Sequence, residues 1–98
     1  MYCIEAMNGP LDGKRWPFRE AITIGRDHEN AEAVLSTDRS VSRRHASVRV
    51  ENGALFLSDL ESSNGTFLDG RPVKDRTAIA AGTPFVVGRT LLRVLEIP

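Results

Sequence analysis

Short apolar runs separated by turn-forming residues recur along the whole chain, and no stretch of twelve or more residues keeps the 3.6-residue period of a helix. In Ala46–Val50, apolar and polar side chains alternate, which is the pattern of a strand with one buried face. Asn52-Gly53 follows, and this dipeptide suits the positive φ angles of a type I′ hairpin turn. The pattern therefore predicts a strand, a tight turn and a returning strand over Ala54–Leu60.

The same alternation predicts further short strands on both sides of this hairpin. The predicted strands are Met1–Met7, Lys14–Phe18, Glu20–Gly25, Gly65–Leu68, Thr83–Val87 and Leu91–Ile97, with loops at Ser36–Ser42 and Glu61–Asn64. Arg26–Ala33 is predicted to form a loop or a single helical turn, and Val73–Ala81 an irregular segment. Short strands with a turn about every 8–12 residues indicate an all-β sandwich or barrel, and the length of the chain predicts a single domain over residues 1–98.

Charge and composition argue against several functional classes. Thirteen basic and thirteen acidic side chains cancel, whereas proteins that bind nucleic acids or membrane surfaces usually carry a net basic face. The first residues lack a secretory signal and no apolar stretch is long enough to span a membrane, so we expect a cytoplasmic domain. Cys3, His28 and His45 do not have the spacing of metal ligands, and we expect neither a metal nor a cofactor.

Arginine supplies eleven of the thirteen cationic side chains, and its planar guanidinium can grip a phosphate or carboxylate with two hydrogen bonds. Ser42-Arg43-Arg44-His45 lies where the predicted loop enters the strand at Ala46. A hydroxyl, backbone N–H groups and guanidinium groups that converge in this way suit a tetrahedral oxyanion. Ordinary surface composition is the alternative explanation for the arginines.

Four sequence features in a fixed order carry a family resemblance. They are ITIGR at Ile22–Arg26, SRRH at Ser42–His45, SSNGT at Ser62–Thr66, and an apolar strand pair after Gly82. This set resembles the forkhead-associated (FHA) domain, a module that binds phosphothreonine. The resemblance implies an antiparallel β-sandwich of two twisted sheets with its binding loops at one end. It also implies a non-catalytic partner of phosphothreonine-containing proteins in Ser/Thr kinase pathways. We expect a monomeric domain, and the balanced charge argues against nucleic-acid and membrane binding.

The resemblance assigns a role to residues in each of three loops. Arg26 corresponds to the main phosphate ligand, with further phosphate contacts from Ser42, Arg43 and Ser63. Asn64 corresponds to the asparagine whose amide pairs with the backbone of the bound peptide, because an amide offers both a donor and an acceptor.

Other residues are expected to shape the site rather than hold the phosphate. Gly25, His45 and Gly65 are predicted to support the loops, and Arg39 and Ser40, with the segment from Asp69 to Arg76, are candidates for selecting residues near the phosphothreonine. Arg44 is placed in a flanking or supporting role, because neighbouring side chains of a strand point to opposite faces. Arg39 is expected to favour an acidic residue in the ligand.

Two other functions compete with this hypothesis. One is a phosphate-independent interaction or assembly module on the same fold. The other is a small hydrolase that uses Ser42 and His45, but no acidic residue is placed to orient the histidine as a catalytic triad requires. We therefore predict no catalytic residue. A purely structural Arg26, paired with Asp27 or Glu29, is the alternative for the main phosphate ligand.

Overall fold

The computed structural model describes residues 1–98 as eleven strands joined by turns and one 3-10 turn. The strands are β1 (Tyr2–Ala6), β2 (Arg15–Phe18), β3 (Ala21–Gly25), β4 (Ala33–Val34), β5 (Ala46–Glu51), β6 (Ala54–Asp59), β7 (Thr66–Leu68), β8 (Arg71–Val73), β9 (Thr77–Ile79), β10 (Phe85–Val87) and β11 (Thr90–Glu96). The 3-10 turn at Gly9–Leu11 is the only helical segment, and no helix is long and apolar enough to cross a membrane.

The strands form two sheets. One has six strands in the order β2-β1-β11-β10-β7-β8, and the other has five in the order β4-β3-β5-β6-β9. Every pair is antiparallel except β3 and β4, which run parallel with Ile24 opposite Ala33. The predicted all-β antiparallel sandwich is confirmed, and the short parallel pair is an addition that the sequence pattern did not predict.

The inner faces of both sheets meet in a core of 18 buried apolar residues. In β5, Ala46 and Val48 are completely buried while Arg49 is exposed, as alternation along a strand requires. Phe85 and Leu57, from the two different sheets, are among the largest side chains in this core. Burial of these side chains is the main favourable contribution to folding.

Two strand prolines lie at opposite edges of the six-stranded sheet. Pro17 is in β2 and Pro72 is in β8, and both side chains are exposed. Proline has no N–H to donate to a neighbouring strand, so the edges are the positions of a sheet that accommodate it. Edge prolines also discourage pairing with a further chain.

The prediction that Val73–Ala81 is irregular was wrong. Val73 ends β8, and Thr77–Ile79 forms β9, which pairs with β6 at the edge of the five-stranded sheet. Three residues are too few to show a period of two, and β9 is stabilised by hydrogen bonds to a partner strand that is distant in sequence. Arg26–Ala33 contains a turn closed by the Asn30 N–H and the Asp27 carbonyl at 2.9 Å, followed by the start of β4.

Candidate functional site

The antiparallel order of the strands brings three loops together at one end of the sandwich. Ile24 near the end of β3 lies opposite Ala46 at the start of β5, and Ala46 also lies opposite Asp59 at the end of β6. The loops after β3, before β5 and after β6 therefore emerge side by side. In the other sheet, Thr66 at the start of β7, where the third loop ends, is opposite Val87 at the end of β10.

Arg26 follows β3 and is fixed next to the second loop through its backbone. Its N–H donates to the Ser42 carbonyl at 3.0 Å, while its guanidinium forms no ion pair. Asp27 instead accepts the Glu29 N–H at 3.1 Å and the Asn30 amide at 2.9 Å, and the Glu29 bond holds the pKa of Asp27 below its ordinary value. The Arg26 guanidinium is thus not paired with Asp27 or Glu29. This contradicts the alternative in which Arg26 has a purely structural role.

Gly25 allows the first two loops to approach each other. A Cβ atom at this position would lie 2.0 Å from the Arg43 carbonyl oxygen and 3.1 Å from the Ala31 Cβ. The first distance is impossible for real atoms, so any side chain would push the loops apart. The predicted supporting role of Gly25 therefore has a direct steric basis in the distance between the Gly25 and Arg43 backbones.

The buried imidazole of His45 joins the second and third loops. Its Nδ1 accepts the Ser42 N–H at 2.9 Å, and its Nε2 lies 2.8 Å from the Gly65 carbonyl oxygen. Because a carbonyl can only accept, Nε2 carries the proton and the ring is neutral. The His45 backbone adds two bonds, from its N–H to the Ile24 carbonyl at 2.9 Å and from the Leu60 N–H to its carbonyl at 2.8 Å.

These contacts oppose a catalytic role for His45. Its acceptor nitrogen contacts the backbone N–H of Ser42 and not the Ser42 hydroxyl, and the second ring nitrogen contacts a backbone carbonyl. A general base must instead face its nucleophile and be oriented by a third polar side chain. The geometry supports the bracing role expected from the sequence.

The Ser42 hydroxyl lies between the second and third loops. Its oxygen accepts the Ser63 N–H at 3.0 Å, which leaves the hydroxyl hydrogen available to a ligand. The Ser63 side chain is exposed beside it. Ser42 and Ser63 are therefore brought together as the sequence predicted, and Ser42 has a loop-linking hydrogen bond that the sequence did not reveal.

Asn64 and Gly65 complete the third loop. The Asn64 amide nitrogen donates to the Ser40 carbonyl at 2.8 Å, while its exposed side chain keeps one N–H and its carbonyl oxygen for other partners. Gly65 has a φ of 87°, in the left-handed region that the sequence predicted for this turn. The third loop and the candidate specificity residue Ser40 are therefore directly connected.

Asp59 is an organising residue that sequence reasoning missed. One of its carboxylate oxygens accepts the Ser62 hydroxyl at 2.6 Å and the buried Thr66 hydroxyl at 2.8 Å, and the other accepts the Ser62 N–H at 3.1 Å. The Ser62 oxygen in turn accepts the Gly65 N–H at 2.9 Å. Aspartate side chains often form hydrogen bonds with nearby residues of the same loop, and the Asp59-x-x-Ser62 spacing was the sequence signal that could have predicted this role of Asp59.

Asp38 connects the second loop to the hairpin between β10 and β11, another contact that sequence reasoning missed. Its carboxylate accepts the Ser40 N–H at 2.9 Å, the Arg89 N–H at 2.8 Å and the Thr90 hydroxyl at 2.7 Å. Desolvation raises the pKa of Asp38, but these hydrogen bonds together outweigh it, and the net pKa is below the ordinary value. The hairpin therefore becomes a fourth element of the site.

The loops expose positive charge that the protein does not neutralise internally. None of the five arginines that they carry forms an ion pair with a carboxylate: Arg26, Arg39, Arg43, Arg44 and Arg89. Arg43 and Arg44 are both exposed, so the prediction that only Arg43 faces the ligand stays a prediction. No group of three or more His, Cys, Asp or Glu side chains is arranged to hold a metal ion. The end of the sandwich can bind an anion with guanidinium, hydroxyl and backbone N–H donors.

In contrast, the segment from Asp69 to Arg76 does not form part of these loops as a whole. The turn at Asp69-Gly70 follows Leu68, at the opposite end of β7 from Thr66. Arg76 is occupied elsewhere, because its guanidinium pairs with Glu51 at 2.9 Å and stacks on the Phe56 ring. Asp69, Gly70 and Arg76 are therefore not placed to contact a ligand bound at the three loops.

Comparisons with known proteins support the family resemblance and the fold. The FHA domain family matches residues 22–88, which is more than half of the chain. The glycogen accumulation regulator GarA of Mycobacterium tuberculosis is 37% identical over 90 residues, covering 92% of this chain and 54% of that protein. This chain therefore spans about half the length of that relative.

Two solved structures are similar over almost the whole chain. The FHA domain of the CT664 protein from Chlamydia trachomatis superposes with a TM-score of 0.89 at 24% identity, covering 99% of this chain and 98% of that one. A structure from a study of phosphothreonine-dependent FHA domain interactions has a TM-score of 0.83 at 31% identity, covering 99% and 97%. The chain belongs to the FHA domain family.

Proposed function

We propose that residues 1–98 form a non-catalytic module that binds phosphothreonine in a partner protein and so makes an interaction dependent on a Ser/Thr kinase. The observation that carries the proposal is the convergence of Arg26, Ser42, Arg43 and Ser63 at one end of the sandwich, with the Arg26 guanidinium free of internal ion pairs. Membership of a family of phosphothreonine readers supports it.

Each residue has a distinct role in the proposed complex. Arg26 grips the phosphate with two charge-assisted hydrogen bonds, and Ser42, Arg43 and Ser63 donate to its remaining oxygens. Asn64 pairs with the backbone of the peptide through the amide groups that its bond to Ser40 leaves free. Hydrogen bonds to charged groups contribute about 1.5–3 kcal/mol each, whereas association and ordering of the peptide cost several kcal/mol. We therefore expect micromolar affinity, about −8 kcal/mol.

The proposed module acts in the cytoplasm, where ATP-dependent kinases produce phosphothreonine, and needs neither metal nor cofactor. Peptide binding by this module is reversible, because no covalent bond is formed. The His45 ring is hydrogen-bonded to two backbone groups and does not activate Ser42 as a nucleophile. GarA is a regulator by name, and a regulatory interaction is the corresponding proposal for this chain.

Calorimetry with a library of phosphothreonine peptides, each with its unphosphorylated counterpart, tests the proposal. We expect phosphate-dependent binding in the micromolar range that Arg26→Ala abolishes. Arg71→Ala is the matched control, because Arg71 also follows a glycine and is exposed but lies in β8, after the turn at the far end of β7. Absence of phosphate-dependent binding below millimolar concentration, across diverse sequences, would refute the function.

A second observation favours phosphate-independent assembly as an alternative. Phe67, Val86 and Leu91 lie side by side across β7, β10 and β11, and they line an apolar groove of about 690 Å³ on the six-stranded sheet. Such a groove can contact a partner without phosphate. A natural partner that binds equally well to the parent and to Arg26→Ala would favour this function over phosphothreonine binding.

A further inference from the structure

A polar groove adjoins the proposed phosphothreonine site. It measures about 620 Å³, and Leu11 is its single apolar lining residue apart from Pro10. One wall is the 3-10 turn at Gly9–Leu11, the second is the loop that contains Arg39 and Ser40, and the third is the hairpin that carries Arg89. Asn64 also borders the groove, so the residue proposed to hold the peptide backbone lies between the phosphate site and the groove.

The backbone that carries Arg89 is held on both sides. Its N–H donates to the Asp38 carboxylate at 2.8 Å, and its carbonyl accepts the Asn8 amide at 3.2 Å. The Asn8 side-chain oxygen also accepts the Leu91 N–H at 2.8 Å. These contacts join segments that are 51 to 83 residues apart in sequence, and they fix the backbone from which the exposed Arg89 side chain projects before any ligand arrives.

The charges around this groove leave a positive surplus. Its ionisable residues are Arg39, Arg89 and Asp38, which together amount to two positive charges and one negative charge. The Asp38 carboxylate already accepts three hydrogen bonds, and neither arginine forms an ion pair. Because the chain as a whole is neutral, this local surplus distinguishes the groove from the average surface.

We propose that the groove takes a second anionic side chain of the bound peptide, with Arg89 as its main ligand and Arg39 as a second. The inference rests on the proposed phosphothreonine binding and extends it, because it names the kind of residue that the partner carries next to the phosphothreonine. The common chemistry is an anionic group on an extended peptide, either the carboxylate of Asp or Glu or the phosphate of a second phosphorylated residue. Arginine forks onto both groups.

A peptide scan with single arginine variants tests this inference. The starting peptide is the tightest singly phosphorylated peptide of the phosphothreonine library, with its acidic residues replaced by alanine. Glutamate or phosphoserine is then placed at each of the four positions on either side of the phosphothreonine. For each protein variant, the measured quantity is the ratio of the Kd of the alanine peptide to the Kd of the substituted peptide, so a uniform change in affinity cancels.

We expect one position at which glutamate or phosphoserine improves affinity about five- to tenfold. Arg89→Ala should lower this ratio to less than about twofold, while the control Arg71→Ala should leave it unchanged. A larger gain from phosphoserine than from glutamate identifies a phosphorylated residue as the preferred occupant, and equal gains show that a carboxylate is sufficient. Thermal unfolding of Arg89→Ala checks that the hairpin remains folded, as expected for an exposed side chain.

Failure of this inference and failure of the proposed function give different results. If singly phosphorylated peptides bind but no second anion improves affinity more than about twofold, the groove does not read an anion. The same conclusion follows if the gain survives in Arg89→Ala combined with Arg39→Ala. If no singly phosphorylated peptide binds, the proposed function is refuted and this inference with it.

Discussion

Truncation of His45 to alanine tests whether a single buried ring holds the binding loops together. The change removes the acceptor of the Ser42 N–H at 2.9 Å and the donor to the Gly65 carbonyl at 2.8 Å. The ring is 0% exposed, so water cannot reach these groups without entering a new cavity. A buried polar group without a partner costs about 1–3 kcal/mol, and two such groups cost roughly 2–6 kcal/mol before the cavity is counted.

Urea denaturation of the parent and of His45→Ala measures this loss directly. Because a domain of this size has a free energy of unfolding of about 5–15 kcal/mol, we expect His45→Ala to lose a large part of it. Two further variants separate the two hydrogen bonds. His45→Asn can keep an acceptor near the Ser42 N–H, and His45→Gln can keep a donor near the Gly65 carbonyl, so each should lose less than the alanine variant.

Phosphopeptide affinity provides the second measurement on the same variants, at a temperature where each remains folded. Ser42 is a proposed phosphate ligand and Gly65 follows Asn64, so a loosened loop pair should weaken binding by at least about tenfold. A free energy of unfolding for His45→Ala within about 1 kcal/mol of the parent value would refute the bracing role. So would equal losses in all three variants, because the loss would then not depend on the individual hydrogen bonds.

Substitutions of Arg26, Gly25 and Asp38 test other contacts of the same loops. Arg26→Lys should weaken phosphopeptide binding at least about tenfold by calorimetry, because a point charge replaces a fork, while Arg71→Lys should have no effect. Gly25→Ala should cost about 1–3 kcal/mol or more in urea denaturation, because its Cβ would meet the Arg43 carbonyl, and unchanged stability would contradict this close approach. Asp38 has a lowered pKa, so its stabilising contribution is present above its ordinary value of 3.8 and is lost as the pH falls through the folded-state pKa. The difference in free energy of unfolding between the parent and Asp38→Asn, measured by urea denaturation, should therefore shrink in acid. A difference that does not change with pH would contradict the lowered pKa of Asp38.

Local patterns in the sequence predicted most of the strands, because alternation and turn chemistry act over a few residues. The hairpin at Asn52-Gly53 shows this well, since both residues have positive φ angles as the dipeptide suggested. By contrast, β9 at Thr77–Ile79 and the parallel partner at Ala33–Val34 were missed. Each has only two or three residues and becomes a strand through hydrogen bonds to a neighbour.

The site divides in a similar way. The order of the motifs along the chain predicted Arg26, Ser42 and Ser63 as neighbours in one site, and the fold brings their loops together. The residues that hold those loops, Asp38 and Asp59, were missed because an aspartate in a polar loop looks the same in sequence whether or not it has partners. Asp38 meets the Arg89 hairpin across 51 residues of chain, and no local pattern encodes that distance.

The class of fold and the chemical groups offered to a ligand can be predicted from the sequence, because both depend on residue type and short-range order. Which of these groups remain free depends on the packing of segments that are distant in the chain. Both nitrogens of the His45 ring are hydrogen-bonded to backbone groups, whereas the Arg26 and Arg89 guanidinium groups form no internal ion pair. Whether a polar group is satisfied depends on which atoms lie within about 3 Å of it, and that is a property of position in space.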